Sequence, residues 1–303
     1  MELLQGENMK VFNTPIYACI DLTYKCNFSC RHCMFLNENL KEYTTAQIIN
    51  LLDRLEDEKF VAVQFSGGEP LLRDDFLEIL DYSSRKRFAI SLATNGSLID
   101  DKLIQHLKQS KVKNIQLSID GLEKSNNSLR GSGTFNTIVK ALDKLLENNL
   151  PVAVATMVTK ENIEEMKEML DFLSKKNIQY WRLQHIICEM ADMKNKLISI
   201  DEYLTAYESI IEYAKERNVN FPITMPCYFR ENVPSNSCER TLINISPDGK
   251  ITGCFLNNTK EGEFIPLSCE EFKKNNRKGR YYICTNAFEV IEGNESIRNK
   301  SYQ

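Results

Sequence analysis

The sequence alternates short runs that favour β-strands with longer amphipathic runs that favour helices, and this rhythm strongly constrains the fold. In the segment 44–58, for example, Ile48, Leu52 and Leu55 repeat at the spacing of a helix with one buried face. A strand followed by a helix, repeated along the chain, predicts a parallel sheet with right-handed crossovers. The predicted strands are 16–24, 61–67, 88–94, 114–120, 152–159 and 180–187, and the predicted helices are 44–58, 74–86, 100–109, 134–148, 162–175 and 201–217.

A doubly wound sheet and an open barrel both match this rhythm. The barrel is favoured because the unusual residues follow the carboxyl ends of predicted strands, the rim at which β/α barrels place their active sites. These residues are Cys26, Gly67, Gly68, Glu69, Thr94, Asn95, Gly96, Asp120, Gly121 and Cys188. The predicted fold class is therefore α/β, a partial (β/α)6 TIM-like barrel over residues 1–218.

A second region is predicted after residue 218, where helical periodicity fades and proline, asparagine, glycine and cysteine become frequent. Residues 219–303 are expected to form a small cysteine-rich region that ends in a mobile tail at 292–303. Within it, the sequence Pro-Asp-Gly between two short apolar runs predicts a hairpin over 238–254. That hairpin would bring Cys238 and Cys254 together.

Composition excludes several classes of function. Of 303 residues, 42% are hydrophobic and 26% charged, as in an ordinary globular protein, and the net charge of -4 gives no reason to expect a nucleic-acid partner. No apolar run approaches the ~20 residues that span a bilayer, and the first residues lack the order of a signal peptide. We therefore expect a cytoplasmic protein whose ten cysteines serve metal binding or catalysis rather than disulfides.

Three of these cysteines lie within the stretch "DLTYKCNFSCRHCMF", where Cys26, Cys30 and Cys33 form a C-x3-C-x2-C motif. Zinc sites usually complete four ligands with a second cysteine or histidine pair, which does not follow nearby; His32 could join the cysteines on one ion only with strained geometry. Iron–sulfur clusters normally take four cysteines. A loop with three of them would leave one iron open to an added ligand.

The motif resembles the radical S-adenosylmethionine superfamily, because "GGEP" (67–70), "TNG" (94–96) and "LSIDG" (117–121) follow it in order. The resemblance covers roughly residues 14–190. It implies a [4Fe-4S] cluster on Cys26, Cys30 and Cys33, with S-adenosyl-L-methionine bound to the open iron. Reductive cleavage would give a 5′-deoxyadenosyl radical that abstracts a substrate hydrogen. A structural zinc loop on an unrelated α/β fold is the alternative.

The resemblance also implies a set of cofactor-binding residues. Gly67 and Gly68 would let the backbone approach the methionyl group. The ammonium of that group would be bound by the charge of Glu69 or by the backbone of the glycine region. Asn95 is a candidate for a ribose or carboxylate hydrogen bond, or else forms an Asn-Gly turn. Arg130 would pair with the cosubstrate carboxylate, or else is a solvated surface residue. The complete set is His32 (near the adenine), Gly67, Gly68, Glu69, Pro70 (fixing the turn), Asn95, Ser118 (at a strand end) and Arg130.

The cysteine-rich region resembles the SPASM/twitch extension over about residues 238–287, which implies an auxiliary [4Fe-4S] cluster. Ala287 stands where that pattern expects a cysteine, so a second auxiliary cluster is not expected. The alternative is a set of ordinary buried thiols. The implied ligands are Cys238, Cys254 and Cys284. The fourth would be Cys227, Cys269, a non-cysteine group or the substrate itself.

Two further cysteines fall on predicted strands. Cys188 ends the sixth predicted strand, where its thiol could return a hydrogen atom to a substrate radical or simply pack in the protein. Cys19, in the middle of the first strand, is predicted to pack in the core.

The resemblance implies modification of a ribosomally made peptide, by a thioether or carbon–carbon cross-link or by epimerisation. A dehydrogenase or epimerase of a sugar or aminocyclitol is the alternative, and a zinc-stabilised scaffold without enzymatic activity is a more distant one. The expected partners are a peptide or small-molecule substrate and an electron donor such as flavodoxin or ferredoxin, without nucleic acid or membrane.

Overall fold

The computed structural model describes residues 17–33, 41–110, 112–185, 196–225, 242–249 and 251–252. The strands are β1 (Tyr17–Thr23), β2 (Ala62–Gly67), β3 (Ala89–Thr94), β4 (Asn114–Ser118), β5 (Val152–Val158), β6 (Trp181–His185), β7 (Ile223–Thr224), β8 (Leu242–Ile245) and β9 (Ile251–Thr252). The α-helices are α1 (Thr45–Asp57), α2 (Phe76–Ser83), α3 (Asp101–Gln109), α4 (Glu123–Arg130), α5 (Thr134–Glu147), α6 (Met166–Ser174) and α7 (Ile200–Glu216). Short 3₁₀ turns lie at Pro70–Leu72 and Ile163–Glu165.

The strands form one sheet in the order β7-β6-β5-β4-β3-β2-β1-β8-β9. Strands β1 to β6 are parallel and adjacent in chain order, which confirms the predicted partial (β/α)6 barrel. The predicted hairpin is present as the antiparallel pair β8 and β9. Strands β7 and β8 extend the barrel sheet at its two sides, pairing with β6 and β1. The division into domains at residue 218 stays a prediction.

One face of the sheet, called the outer face here, packs against the helices. Alternate strand residues share a face of a sheet, and those of the outer face join one apolar core with buried residues of the helices, such as Ile48, Ile79 and Ile104. The outer-face strand residues include Ala18, Ile20, Leu22, Val63, Phe65, Ile90, Leu92, Ile115, Leu117, Val152, Val154, Trp181, Leu183, Ile243 and Ile245. Burial of this apolar surface is the main stabilising contribution to the fold.

The opposite face, called the inner face here, carries mostly polar side chains. Its members pair laterally across the strands, as Cys19 does with Gln64 and with Asn244. The inner-face residues include Cys19, Asp21, Gln64, Ser66, Ser91, Asn114, Gln116, Ser118, Met157, Arg182, Gln184, Thr224 and Asn244. Cys19 therefore does not pack in the core between sheet and helices; the prediction that it would was wrong, because the strand's alternation turns it to the inner face.

Helix starts follow the expected capping chemistry. Thr44 and Gln47 form a capping box at α1, and Ser199 and Glu202 form another at α7. Helix α4 was not predicted, because Leu129 is the only aliphatic residue in its sequence EKSNNSLR. Among the described residues, no helix has the length and apolar character needed to cross a membrane.

Candidate active site

The three-cysteine loop leaves the carboxyl end of β1. Cys26 is exposed, Cys33 is partly exposed and Cys30 is buried; none of the three is in a disulfide. The backbone N–H of Cys33 donates to the carbonyl of Cys30 at 3.1 Å, which turns the chain between them. Burial raises the pKa of the Cys30 thiol to about 11, although nearby Arg130 acts in the opposite direction. A bound metal would instead hold these thiols as thiolates.

Gly67 and Gly68 allow the loop after β2 to pack tightly against the three-cysteine loop. A Cβ added to Gly67, whose φ is +124°, would lie 2.2 Å from the carbonyl oxygen of Thr23, and one on Gly68 would lie 2.4 Å from that of Lys25. The backbone N–H of Gly68 donates to the same Thr23 oxygen at 2.7 Å. Glycine is therefore required here by contact with the start of the cysteine loop. Contact of these glycines with a methionyl group stays a prediction.

Glu69 joins the loop after β2 to the loop after β3. One carboxylate oxygen accepts hydrogen bonds from the Leu71 N–H (3.1 Å) and the Thr94 hydroxyl (2.8 Å), and the other accepts from the Asn95 N–H (2.7 Å). The side chain is fully buried, and burial raises its pKa against the opposing effect of these bonds. The carboxylate thereby joins the two rim loops, and its contact with a cosubstrate ammonium stays a prediction. Pro70, also buried, begins the 3₁₀ turn that follows.

Asn95 contributes both a turn and a contact to the cysteine loop. Its Oδ1 accepts from the backbone N–H of Ser97 at 2.9 Å, the turn expected as one alternative. Its Nδ2 donates to Asn27 at 2.8 Å and lies 3.7 Å from the sulfur of Cys26. Ser118, at the carboxyl end of β4, is partly exposed on the inner face. The ligand contacts expected for both residues stay predictions.

A buried charged cluster lies behind Cys30. Asp120 is fully buried, and its Oδ2 lies 2.6 Å from Nε of Arg130 and 3.2 Å from Nε2 of His32. Arg130 is therefore no solvated surface residue; its side chain is only 11% exposed. Burial lowers the pKa of His32, and the other nitrogen of that ring, Nδ1, is buried without a hydrogen-bond partner within the described part of the chain. The sequence located Asp120 at the rim but assigned it no role.

Glu161, which sequence reasoning missed, holds the cysteine loop from the other side. Arg31 lies 3.0 Å from its carboxylate, Ser128 donates to it at 2.7 Å, and Lys196 forms a further ion pair. Burial opposes ionisation, but the hydrogen bonds from Lys196, Ser128 and Arg31 hold the pKa of Glu161 at about 2. The backbone N–H of Arg31 also donates to the carbonyl of Leu129 at 2.9 Å, so the cysteine loop is fixed to α4.

The inner face below the rim is suited to a polar ligand. The side chains of Ser91, Gln116, Ser118 and Gln184 have no hydrogen-bond partner among the described residues. Asp21 is nearly buried at the carboxyl half of β1, where burial raises its pKa to about 7 despite a hydrogen bond with Tyr24. Carboxamides and hydroxyls that lack partners in a partly enclosed site are binding groups for a ligand with many donors and acceptors.

The residues present fit an iron–sulfur cluster better than a single metal ion. Within the described ranges, no three histidine, cysteine, aspartate or glutamate side chains converge as ligands of one ion. A cubane cluster does not need that convergence, because each thiolate binds a different iron. Cys26, Cys30 and Cys33 lie on one loop with uncommitted thiols, and N–H groups reach two of the sulfurs. These features fit a cluster with one open iron.

The predicted hydrogen-atom donor Cys188 and the predicted auxiliary-cluster cysteines lie in other parts of the chain. Cys188, Cys227, Cys238, Cys254, Cys269 and Cys284 lie outside the described residues. Their roles stay predictions.

Comparison with known proteins agrees with this site. The sequence model of the Radical SAM superfamily matches residues 20–173, half of the chain, and the chain belongs to that superfamily. The family resemblance noted in the sequence is thereby confirmed. Members of this superfamily use a [4Fe-4S] cluster and S-adenosylmethionine, which agrees with the three-cysteine loop of this chain.

Several curated proteins are similar. The mycofactocin maturase MftC of Mycolicibacterium smegmatis is 32% identical over 52% of this chain and 41% of its own length, so the chain spans less than half of that relative. The PqqA peptide cyclase of Granulibacter bethesdensis is 24% identical over 85% of this chain and 72% of its own. The AdoMet-dependent heme synthase of Nitratidesulfovibrio vulgaris is 24% identical over 82% and 74%.

Solved structures share the fold. Streptococcus suis SuiB bound to S-adenosylmethionine superposes with a TM-score of 0.74 at 18% identity, over 85% of this chain and 64% of SuiB. SuiB bound to its precursor peptide SuiA superposes with a TM-score of 0.73 at 17% identity, over 97% and 68%. At these identities the likeness establishes the architecture.

Proposed function

We propose that this enzyme modifies a ribosomally synthesised peptide. It would remove a hydrogen atom from a carbon of the peptide and then either form a cross-link at that carbon or invert its configuration. The observation that carries the proposal is the inner face, where Gln116 and Gln184 offer uncommitted carboxamides directly below the rim. Carboxamides pair well with peptide groups, because each presents one acceptor and two donors. A peptide cyclase and an enzyme solved with a precursor peptide are among the similar proteins.

The chain's own residues have distinct tasks in this proposal. Cys26, Cys30 and Cys33 would hold the cluster, and the backbone at Gly67 and Gly68 would lie against the cosubstrate. When bound, the cluster and S-adenosylmethionine supply a 5′-deoxyadenosyl radical that takes a hydrogen atom from the substrate. The protein orients the substrate and keeps water away from the reacting atoms.

The set of cosubstrate contacts is proposed as a whole for the rim. It comprises the His32 ring, the backbone around Glu69 and Pro70, the side chains of Asn95 and Ser118, and Arg130. An auxiliary cluster on Cys238, Cys254 and Cys284, in a separate region from residue 219, belongs to the proposal, as does a flavodoxin or ferredoxin as electron donor.

A small-molecule substrate is the second candidate, and the similarity to a heme synthase favours it. A porphyrin presents a broad, flat, apolar surface, whereas the described inner face presents Asp21, hydroxyls and carboxamides. Burying that polar lining against an apolar ring would leave donors and acceptors without partners, at a cost of about 1–3 kcal/mol each. The lining therefore favours a peptide, or a polyol such as a sugar, over a porphyrin.

The first experiment tests the radical chemistry. The full chain and the variant C26A/C30A/C33A are purified without oxygen, reconstituted with iron and sulfide, and assayed for 5′-deoxyadenosine after reduction with dithionite. We expect at least a hundredfold loss in the variant, because the open-iron cluster requires all three thiolates. C19A, which removes an inner-face thiol outside the loop, is the matched control and should keep the activity. Equal rates in the parent and the triple variant would contradict the proposal.

A second experiment separates peptide from small-molecule substrates. The low-mass fraction of an extract of the source cells is added to the parent enzyme, with or without prior digestion by proteinase K. If the substrate is a peptide, the fraction should stimulate 5′-deoxyadenosine formation and lose this effect on digestion. Stimulation that survives digestion would favour the small-molecule alternative.

A further inference from the structure

Three N–H groups approach the sulfurs of the cysteine loop. The Phe28 backbone N–H lies 3.4 Å and the Asn95 Nδ2 3.7 Å from the sulfur of Cys26, and Nη1 of Arg130 lies 3.9 Å from the sulfur of Cys30. Among the described residues, Arg130 is the only one that brings a positive charge within hydrogen-bond reach of a cysteine sulfur. The guanidinium stays charged at every physiological pH.

The position of Arg130 is fixed by the fold rather than by a ligand. It is the last residue of α4, and its Nε lies 2.6 Å from the carboxylate of Asp120. Asp120 is itself held, because its Oδ1 accepts the backbone N–H of Met157 at 2.7 Å and its own N–H donates to Asn126 at 2.9 Å. The ion pair with Asp120 holds the guanidinium beside the cysteine loop, and Nη1 donates toward the sulfur of Cys30 at 3.9 Å.

The second arginine close to the loop has a different environment. Arg31 directly follows Cys30, but its guanidinium pairs with Glu161 at 3.0 Å and also lies 3.3 Å from the hydroxyl of Ser128. Its charge is compensated by that carboxylate, and within the described part of the chain no contact joins its guanidinium to a cysteine sulfur. The described residues thus include two arginines of equal charge near Cys30, of which Arg130 contacts the sulfur.

Hydrogen bonds and net charge at the sulfurs are among the features that set the reduction potential of an iron–sulfur cluster. Reduction adds one electron and makes the cluster more negative. A cation that donates a hydrogen bond to a thiolate ligand stabilises this reduced state more than the oxidised state, and so raises the potential.

We propose that Arg130, positioned by Asp120, raises the reduction potential of the cluster on Cys26, Cys30 and Cys33 through a hydrogen bond to the Cys30 thiolate. The inference rests on the proposed function, since it requires a cluster on this loop. Its consequence is that a one-electron donor of the flavodoxin or ferredoxin class can reduce the cluster more readily. This role does not depend on any contact between Arg130 and S-adenosylmethionine.

The test is a redox titration of the reconstituted full chain without S-adenosylmethionine, followed by electron paramagnetic resonance. The relevant signal is identified beforehand as the one that changes when S-adenosylmethionine is added, which separates it from any auxiliary cluster. The parent is compared with R130Q, R130K and R31Q. Iron content per chain and the circular dichroism spectrum show whether each variant keeps its fold and cluster.

At the midpoint potential of the parent, we expect the ratio of reduced to oxidised cluster to fall about tenfold in R130Q, equivalent to about 59 mV for one electron. The ratio should also fall in R130K, because an ammonium group bound to Asp120 cannot also reach Cys30. R31Q removes the same charge from the same loop and should change the ratio by less than about twofold, since the Arg31 side chain is 36% exposed and solvent screens its charge.

An unchanged potential in R130Q, or an equal shift in R31Q, would overturn the inference. A lowered potential in R130Q together with an unchanged potential in R130K would also overturn the inference, because charge alone would then explain the effect. If R130Q does not hold a cluster, the potential of R130K is compared with that of R31Q. The inference then requires a lower potential in R130K than in R31Q. Absence of any signal that responds to S-adenosylmethionine in the parent would instead contradict the proposed function itself.

Discussion

The two faces of the same sheet have opposite chemistry. On β2, Val63 and Phe65 point to the helices and are fully buried in the apolar core, while Gln64 and Ser66 point to the inner face and remain partly exposed. The same alternation runs through β4 and β6, whereas β5 turns Ala153, Ala155 and Met157 to the inner face. Apolar burial on one face suffices to hold the helices on the sheet. The other face is therefore available for polar side chains that serve a ligand.

The largest difference between the faces is expected in their contribution to the free energy of unfolding, which substitutions at neighbouring residues of β2 can compare. F65A should lower the free energy of unfolding by about 3–5 kcal/mol, because Phe65 is fully buried and packs edge-to-face on Phe76 with ring centroids 6.3 Å apart. Q64A removes a hydrogen bond from the Tyr17 hydroxyl and should cost about 1 kcal/mol. Urea denaturation of the cluster-free chain measures both. Similar losses in the free energy of unfolding for F65A and Q64A would contradict the expectation that the outer face stabilises the fold more than the inner face does.

An intermediate effect is expected from the acidic group of the inner face. The folded-state pKa of Asp21 is raised to about 7 by burial, so between about pH 4 and 7 the folded chain holds a proton that the unfolded chain has released. Stability should therefore fall as pH rises through this window, by up to about 1.4 kcal/mol per pH unit, and stay lower above it. D21N lacks this titration and should gain stability relative to the parent between pH 5 and pH 8.

The measurement is the urea midpoint at several pH values for the parent, D21N and D57N. Asp57 is an exposed carboxylate at the end of α1 and serves as the matched control. Parallel pH profiles for the parent and D21N would show that the inner face does not hold Asp21 in its protonated form.

The smallest effect on stability is expected for a polar residue of the inner face without a partner. Q116A should change the free energy of unfolding by no more than about 0.5 kcal/mol, whereas L117A, its outer-face neighbour, should cost about 2–5 kcal/mol. The effect of Q116A should appear in binding: half-maximal stimulation by the protease-sensitive extract fraction should need about threefold to tenfold more material. Unchanged stimulation together with a large loss of stability would assign Gln116 to the fold instead.

The fold was predictable because its signals are local. Apolar periodicity located the strands from β1 to β6 within a few residues, and the polar motifs marked their carboxyl ends. Helix α4 has no such stripe; it is held by side-chain contacts such as the hydrogen bond of Ser125 with Glu165 at 2.6 Å. The pairing of β8 with β1 joins segments far apart in the chain, and no local pattern reports it.

The site was predictable in its residues but less so in their roles. The motif spacing located Cys26, Cys30 and Cys33, and "GGEP" located Glu69. That Glu69 would bond to Thr94 and Asn95 depends on two rim loops meeting, which is a tertiary fact. Glu161 carries no motif and becomes visible only once the fold brings it to the cysteine loop.

The pairing of β8 with β1 has a consequence for synthesis on the ribosome. One edge of β1, the strand that leads into the cysteine loop, is covered by β2 soon after it emerges, but the other edge waits for β8, about two hundred residues later in the chain. Until then the nascent chain carries an open parallel edge directly beside the thiols that are to receive iron. The edge of β1 therefore stays open to pairing with other chains until synthesis has passed β8.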